Sequence, residues 1–243
     1  MATDYSNIGK DGIVKEGIFN RFSILEPVTF GDNYWNNPRH NKLMIIAESN
    51  YLDDNVDSVF KDPEVWYQGK ASIIKQFLED QKKKLSTWKY YKTFSKLCKV
   101  MNEVANTHCT SVYDEAVFYN YFLRPATVRG EDRSFEKDCE QLDRDVAGTA
   151  LCGAIDLLNP DIVIFASKYA YDEFKDYLEY SDNTNIRFVS DYKYLELAKY
   201  NNRKIRIDYV NHPAARGDNN WYRSENGKQK FERLLKEYWL RNP

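Results

Sequence analysis

Three short runs of apolar, β-branched residues, Leu43–Ala47, Ala116–Tyr119 and Ile162–Ala166, constrain this chain more than any other feature. Each has the length of one strand and no polar alternation, as in strands buried on both faces of a parallel sheet. A fourth run, Ile205–Val210, sets Ile205, Ile207 and Tyr209 against Arg206 and Asp208, and Arg187–Val189 reads as a further short strand. Helical spacing fills the intervals. Phe94, Leu97, Cys98, Met101 and Val104 form one stripe. Phe135, Cys139, Leu142, Val146, Ala150, Gly153 and Leu157 form a longer one, with Ser134 as N-cap and Pro160 as its end. Phe231, Leu234, Leu235, Tyr238 and Trp239 give the last helix an apolar face. Strands alternating with helices predict an α/β fold: a single domain around a central, mainly parallel sheet of four strands or slightly more, with helices on both faces.

The 243 residues suit one such domain, and neither a Gly/Ser- or Pro-rich linker nor an internal repeat divides them. The first 40 residues carry no clear element. Gly31-Asp32-Asn33 and Asn36-Asn37-Pro38 read as turns, and the segment is expected to pack on the domain as an extension. No apolar run approaches the length of a membrane span, and the opening MATDYSNIGKDG lacks a signal region, so the expected location is cytoplasmic, with no membrane partner. Cys98, Cys109, Cys139 and Cys152 form no CxxC pair and read as reduced thiols packed in helices.

The net charge of -2 excludes a chain that coats nucleic acid through global charge excess. Its distribution is uneven, however. Residues 201–243 hold ten basic and five acidic side chains, whereas the first 200 hold 25 basic and 32 acidic. A basic C-terminal segment is either an anion-binding edge or a solvated helix face.

In a parallel sheet, ligands bind where loops leave the carboxyl ends of the strands. Glu48-Ser49-Asn50-Tyr51 follows the first strand, Asn120-Tyr121-Phe122-Leu123-Arg124-Pro125 and then Arg129 follow the second, and Asn211-His212-Pro213-Ala214-Ala215-Arg216 follows the last. A histidine at a strand exit is either a catalytic group or an ordinary loop residue, and an asparagine there either reads a ligand or caps the next turn. Asp53-Asp54 and Lys82-Lys83-Lys84 are solvated or complement helix dipoles. Trp66-Tyr67 reads as filler, whereas Trp221-Tyr222, close to the His-Pro pair, is a candidate for stacking on bases.

In their order, these segments resemble the uracil-DNA glycosylase superfamily, whose members carry a first motif such as Gly-Gln-Asp-Pro-Tyr-His or Gly-Glu-Ala-Pro-Gly, a mid-chain asparagine and a late His-Pro-Ser-Pro or His-Pro-Ala-Ala. The counterparts are Ala47-Glu48-Ser49-Asn50-Tyr51-Leu52, Asn120 and His212-Pro213-Ala214-Ala215. The middle segment is similar to the iron–sulfur branch through Arg124-Pro125, Arg129, Cys139, Leu142 and Pro160-Asp161-Ile162-Val163-Ile164.

The resemblance implies a DNA glycosylase that flips a nucleotide and cuts its N-glycosidic bond, with DNA as partner and no obligatory protein partner. It casts His212 as donor to the departing base, Glu48 and Ser49 as catalytic neighbours, and Asn120, Asn50 and Tyr51 as base-binding residues. Arg216 would fill the gap left by the flipped base, and Arg124, Arg129 and Trp221 would contact DNA.

The departures shape the expectation too. Ser49 stands where the most active branch has a water-orienting aspartate, a role that then falls to Glu48, Asp53 or Asp54, and Asn50 replaces a proline. Only Cys139 matches a cluster ligand, and Leu123 stands where another cysteine would be, so no metal and no cofactor are expected. Uracil or a modified pyrimidine, in repair or in defence against phage, is the implied substrate. The alternatives are a catalytically inactive member that binds nucleic acid or nucleotide, and a hydrolase of free nucleosides.

Overall fold

The computed structural model describes residues 32–50, 60–68, 95–108, 115–127, 135–183 and 185–241. Its centre is one six-stranded sheet. The strands are β1 (Leu43–Ala47), β2 (Ala116–Asn120), β3 (Ile162–Phe165), β4 (Ile186–Val189), β5 (Tyr194–Leu197) and β6 (Arg203–Tyr209). They lie in the order β2-β1-β3-β6-β5-β4. The first four of that order are mutually parallel, and the β4–β5 hairpin extends the β6 edge antiparallel.

Strand β5 escaped the sequence reading, although the buried Leu195 and Leu197 alternate with the half-exposed Tyr194 and Glu196. Four residues of alternation are too few to separate from loop. The turn before β5 places Ser190, Asp191 and Tyr192 in succession at positive φ, a path that apolar periodicity does not report.

Among the described residues the α-helices are α1 (Asp32–Trp35), α2 (Pro63–Gln68), α3 (Ser95–Ala105), α4 (Gln141–Leu158), α5 (Lys168–Tyr180) and α6 (Lys228–Leu234), the last continuing as a π-turn through Trp239. Side chains alternate across the sheet and divide the interior in two. Met44, Ile46, Val117, Tyr119, Val163 and Phe165 face α4 and α5. Leu43, Ile45, Ala116, Phe118, Ile162 and Ile164 face α3 and α6. The inner residues of the hairpin, Ile186, Leu195 and Leu197, join the first of these cores.

Two local expectations are corrected. Asp32–Trp35 is a helical turn rather than part of a reverse turn, and the Tyr34 hydroxyl donates to the Leu158 carbonyl at the end of α4. The long stripe is not one helix from Ser134, which lies outside the described residues. Phe135–Lys137 is a 3₁₀ turn, and α4 starts at Gln141, where the Glu140 amide donates to Asp143 Oδ2 at 3.0 Å. The chain bends between them because Arg124 binds the Asp138 carbonyl and the Asp143 carboxylate together. At the far end, Asn159 adopts a left-handed conformation just ahead of Pro160, and its amide donates to the Ile155 carbonyl.

Helices α4 and α5 touch through Gly148, where an added Cβ would lie 2.2 Å from Tyr177 Cγ. Intrinsic propensity favours alanine over glycine by about 1 kcal/mol. Overpacking against the rigid base of a ring costs about 1–3 kcal/mol and outweighs it. Gly148→Ala is therefore expected to lower the urea midpoint, and an unchanged or raised midpoint would show that the two helices separate freely.

Candidate functional site

Strand β1 lies between β2, the next strand in sequence, and β3, reached by crossing back over it, so the sheet reverses direction at β1. Hydrogen bonding continues past the strand ends there. Tyr121 and Phe122 amides donate to the Ala47 and Glu48 carbonyls, the Ala126 amide to Asn50, the Ala166 amide to Ile46 and the Val210 amide to Phe165. The exits of β1, β2, β3 and β6 are thus held as one rim.

Glu48 is fixed at that rim from two sides. Its Oε1 accepts from the Phe135 amide at 2.7 Å and its Oε2 from the Ser167 hydroxyl at 2.8 Å. Ser167 is also the N-cap of α5, where its Oγ accepts from the Ala170 amide at 3.2 Å. It was missed from sequence because a serine opening a helix reads as a cap and nothing more. Ser49 is 8% exposed, and its hydroxyl has no hydrogen-bond partner among the described residues. Asn120 is paired in register with Ala47 and ends β2 half-buried. Tyr51 and Arg129, like Asp53 and Asp54, lie outside the described residues.

His212 leaves β6 half-buried. Its Nδ1 accepts from the Ala214 amide at 3.2 Å, which assigns the proton of the neutral ring to Nε2. Burial pushes its pKa below the ordinary 6.5; the Glu48 carboxylate opposes that shift and the Lys96 ammonium adds to it. Lys96, on α3, donates to the Pro213 carbonyl at 2.6 Å and pins the His-Pro turn. Asn211 ties the rest of the loop down through the Asn219 carbonyl and the Ser224 hydroxyl. Strands β2 and β6 are separated by two others, which sets their backbones about 14 Å apart.

Two expected DNA contacts are corrected. Arg124 is fully buried. It binds both oxygens of the buried Asp143 carboxylate, at 3.0 and 2.6 Å, together with the carbonyls of Phe60 and Asp138. Asp143 accepts in addition from the Tyr67 hydroxyl, and Asp138 from the Thr127 amide and hydroxyl. A guanidinium so engaged has no donors left for phosphate; it braces the β2 exit against the start of α4, close to Phe135 and hence to the Glu48 contact. Trp221 is 1% exposed and packs on Phe231, whereas its neighbour Tyr222 points outward. Arg216 is exposed at the start of the turn Gly217–Asn219.

Burial raises the Cys139 and Cys152 thiols to about 12, so neither is a nucleophile at neutral pH. Among the described residues no helix is long and apolar enough to cross a membrane. No family model matches the chain, and no curated protein matches it.

Two outcomes follow from this geometry. Arg124→Met leaves Asp143 buried and uncompensated and is expected to destabilise the fold by about 3–5 kcal/mol, with much of that regained when Asp143→Leu is added; equal losses in the single and double variants on denaturant titration would refute the pairing. For His212, the folded chain binds fewer protons than the unfolded chain. Its contribution is therefore complete above 6.5 and declines as pH falls from there toward the folded value. An NMR titration should give His212 a midpoint below 6.5, and a midpoint above it would contradict the burial.

Proposed function

We propose that the chain is a monofunctional DNA glycosylase that hydrolyses the N-glycosidic bond of an aberrant or modified base, leaving free base and an abasic site. The observation that carries the reading is the pairing of a neutral His212, its proton assigned to Nε2, with a Glu48 carboxylate held by two protein donors at the reversal point of the sheet.

Each group suits one half of the reaction. As the bond between the sugar and the base nitrogen breaks, its electron pair moves onto the base. His212 Nε2–H donates to a base carbonyl oxygen and stabilises that charge without being consumed. The sugar is left as an oxocarbenium-like cation. Glu48 stabilises it through charge and accepts the proton of the attacking water, whose oxygen bonds to the sugar carbon. Asn120, able to donate and accept, suits the edge of a pyrimidine. The +5 balance of residues 201–243 supports a polyanionic substrate. Uracil and modified pyrimidines are the candidates, in repair or in defence against phage DNA.

The second reading is a binder without catalysis. Ser49 favours it, since a neutral hydroxyl there adds nothing to stabilise a cation, and both Glu48 oxygens already accept protein hydrogen bonds.

Duplex and single-stranded DNAs carrying uracil, hypoxanthine, 5-hydroxymethylcytosine or its glucosylated form decide between them, with abasic sites read by alkaline cleavage. Wild type should cleave at one of these bases, and His212→Ala should lower the single-turnover rate about 10²–10³-fold with its thermal midpoint retained. DNA binding with no abasic product across the panel would establish the binder instead.

A further inference from the structure

Beyond the His-Pro turn, the loop holds an aromatic side chain that the chemistry above does not use. Tyr222 is 60% exposed, the most exposed large hydrophobic among the described residues. Its neighbour explains how the ring is held outward. Trp221 is anchored in the interior, and its carbonyl accepts from the Lys228 amide at 2.7 Å. Gly227 presses on that carbonyl so closely that a Cβ there would lie 2.1 Å from the oxygen. The Tyr222 amide donates to Asn220 Oδ1 at 3.0 Å, closing an Asx-turn. Backbone freedom at Tyr222 is thus already restricted, which lowers the entropy lost when a ligand settles on the ring.

The surroundings specify the ligand. Lys96 lies over the ring, 5.3 Å from its centroid, while also donating to the Pro213 carbonyl, so the ring stands beside the turn that carries His212. Arg216 and Arg223 are exposed on the same loop, but so are Asp218 and Glu225. A mixed-charge rim is poorly suited to tracking a duplex through many phosphates. An exposed ring with a single adjacent cation suits an unpaired base and its phosphate.

We propose that Tyr222 and Lys96 form a stacking subsite for an unpaired nucleobase next to the one engaged by His212, so that the protein takes single-stranded DNA in preference to duplex. The subsite rests on the DNA reading of the main site but not on catalysis.

Fluorescence anisotropy at low salt tests it, using a labelled thymine 12-mer and the matching duplex with full-length protein. Wild type should bind the single strand more tightly. Tyr222→Ala should weaken that binding about tenfold or more and Tyr222→Trp should preserve it, with duplex affinity changed less than twofold. Lys96→Met should reduce the single-strand salt slope by about 0.7. Unchanged single-strand affinity in Tyr222→Ala, or equal losses on both DNAs, would overturn the subsite while leaving the glycosylase assay unaffected. Wild type that binds neither DNA would overturn the subsite and the DNA reading together.

Discussion

All five residues of β1 are buried, and hydrogen-bonded neighbours lie on both sides of it. A strand in that position cannot turn a polar side chain outward along its length, so its first opportunity for chemistry is the residue after it ends. That residue is Glu48. The chain winds both ways from β1, and in open α/β sheets ligands bind at the carboxyl end of such a reversal. Backbone hydrogen bonds that outrun the strands then carry the neighbouring exits into the same rim.

Below the rim lies the Arg124–Asp143 pair. Burying a guanidinium and a carboxylate gains little net stability over apolar residues of the same shape. What the pair achieves here is position. It joins the β2 exit, the Asp138 turn and the first turn of α4, and the 3₁₀ turn just before them presents the Phe135 amide to Glu48. From the other side, Ser167 joins Glu48 to the start of α5. The carboxylate is therefore set by a 3₁₀ turn, the start of α5 and, through that turn, one interior cation. The histidine side is organised differently. Its loop is tied by Asn211 and Lys96 and leaves Tyr222 outside.

The parallel strands were legible because Leu43–Ala47, Ala116–Tyr119 and Ile162–Ala166 are continuous apolar runs, and burial on both faces permits little else. Strand β5 was not, because its four residues alternate too briefly. The start of α4 was misplaced because Phe135 has the right spacing for the helical stripe yet stacks on Phe122, ahead of a bend imposed by a distant arginine. Arg124 and Trp221 show the sharper limit. A cation at a strand exit, or an aromatic pair in a basic loop, has the same sequence signature whether it faces solvent or the interior.

Alone, the sequence determined the sheet's four parallel strands and the positions along the chain where Glu48, Asn120 and His212 leave it, because apolar run length and period are local properties of a buried strand. Which of the nearby polar groups would face one another was decided by tertiary structure. Ser167 meets Glu48 across 119 positions of chain, and Lys96 meets Pro213 across 117. Such pairings depend on how layers pack and which donors burial forces to find acceptors, and no local pattern encodes either.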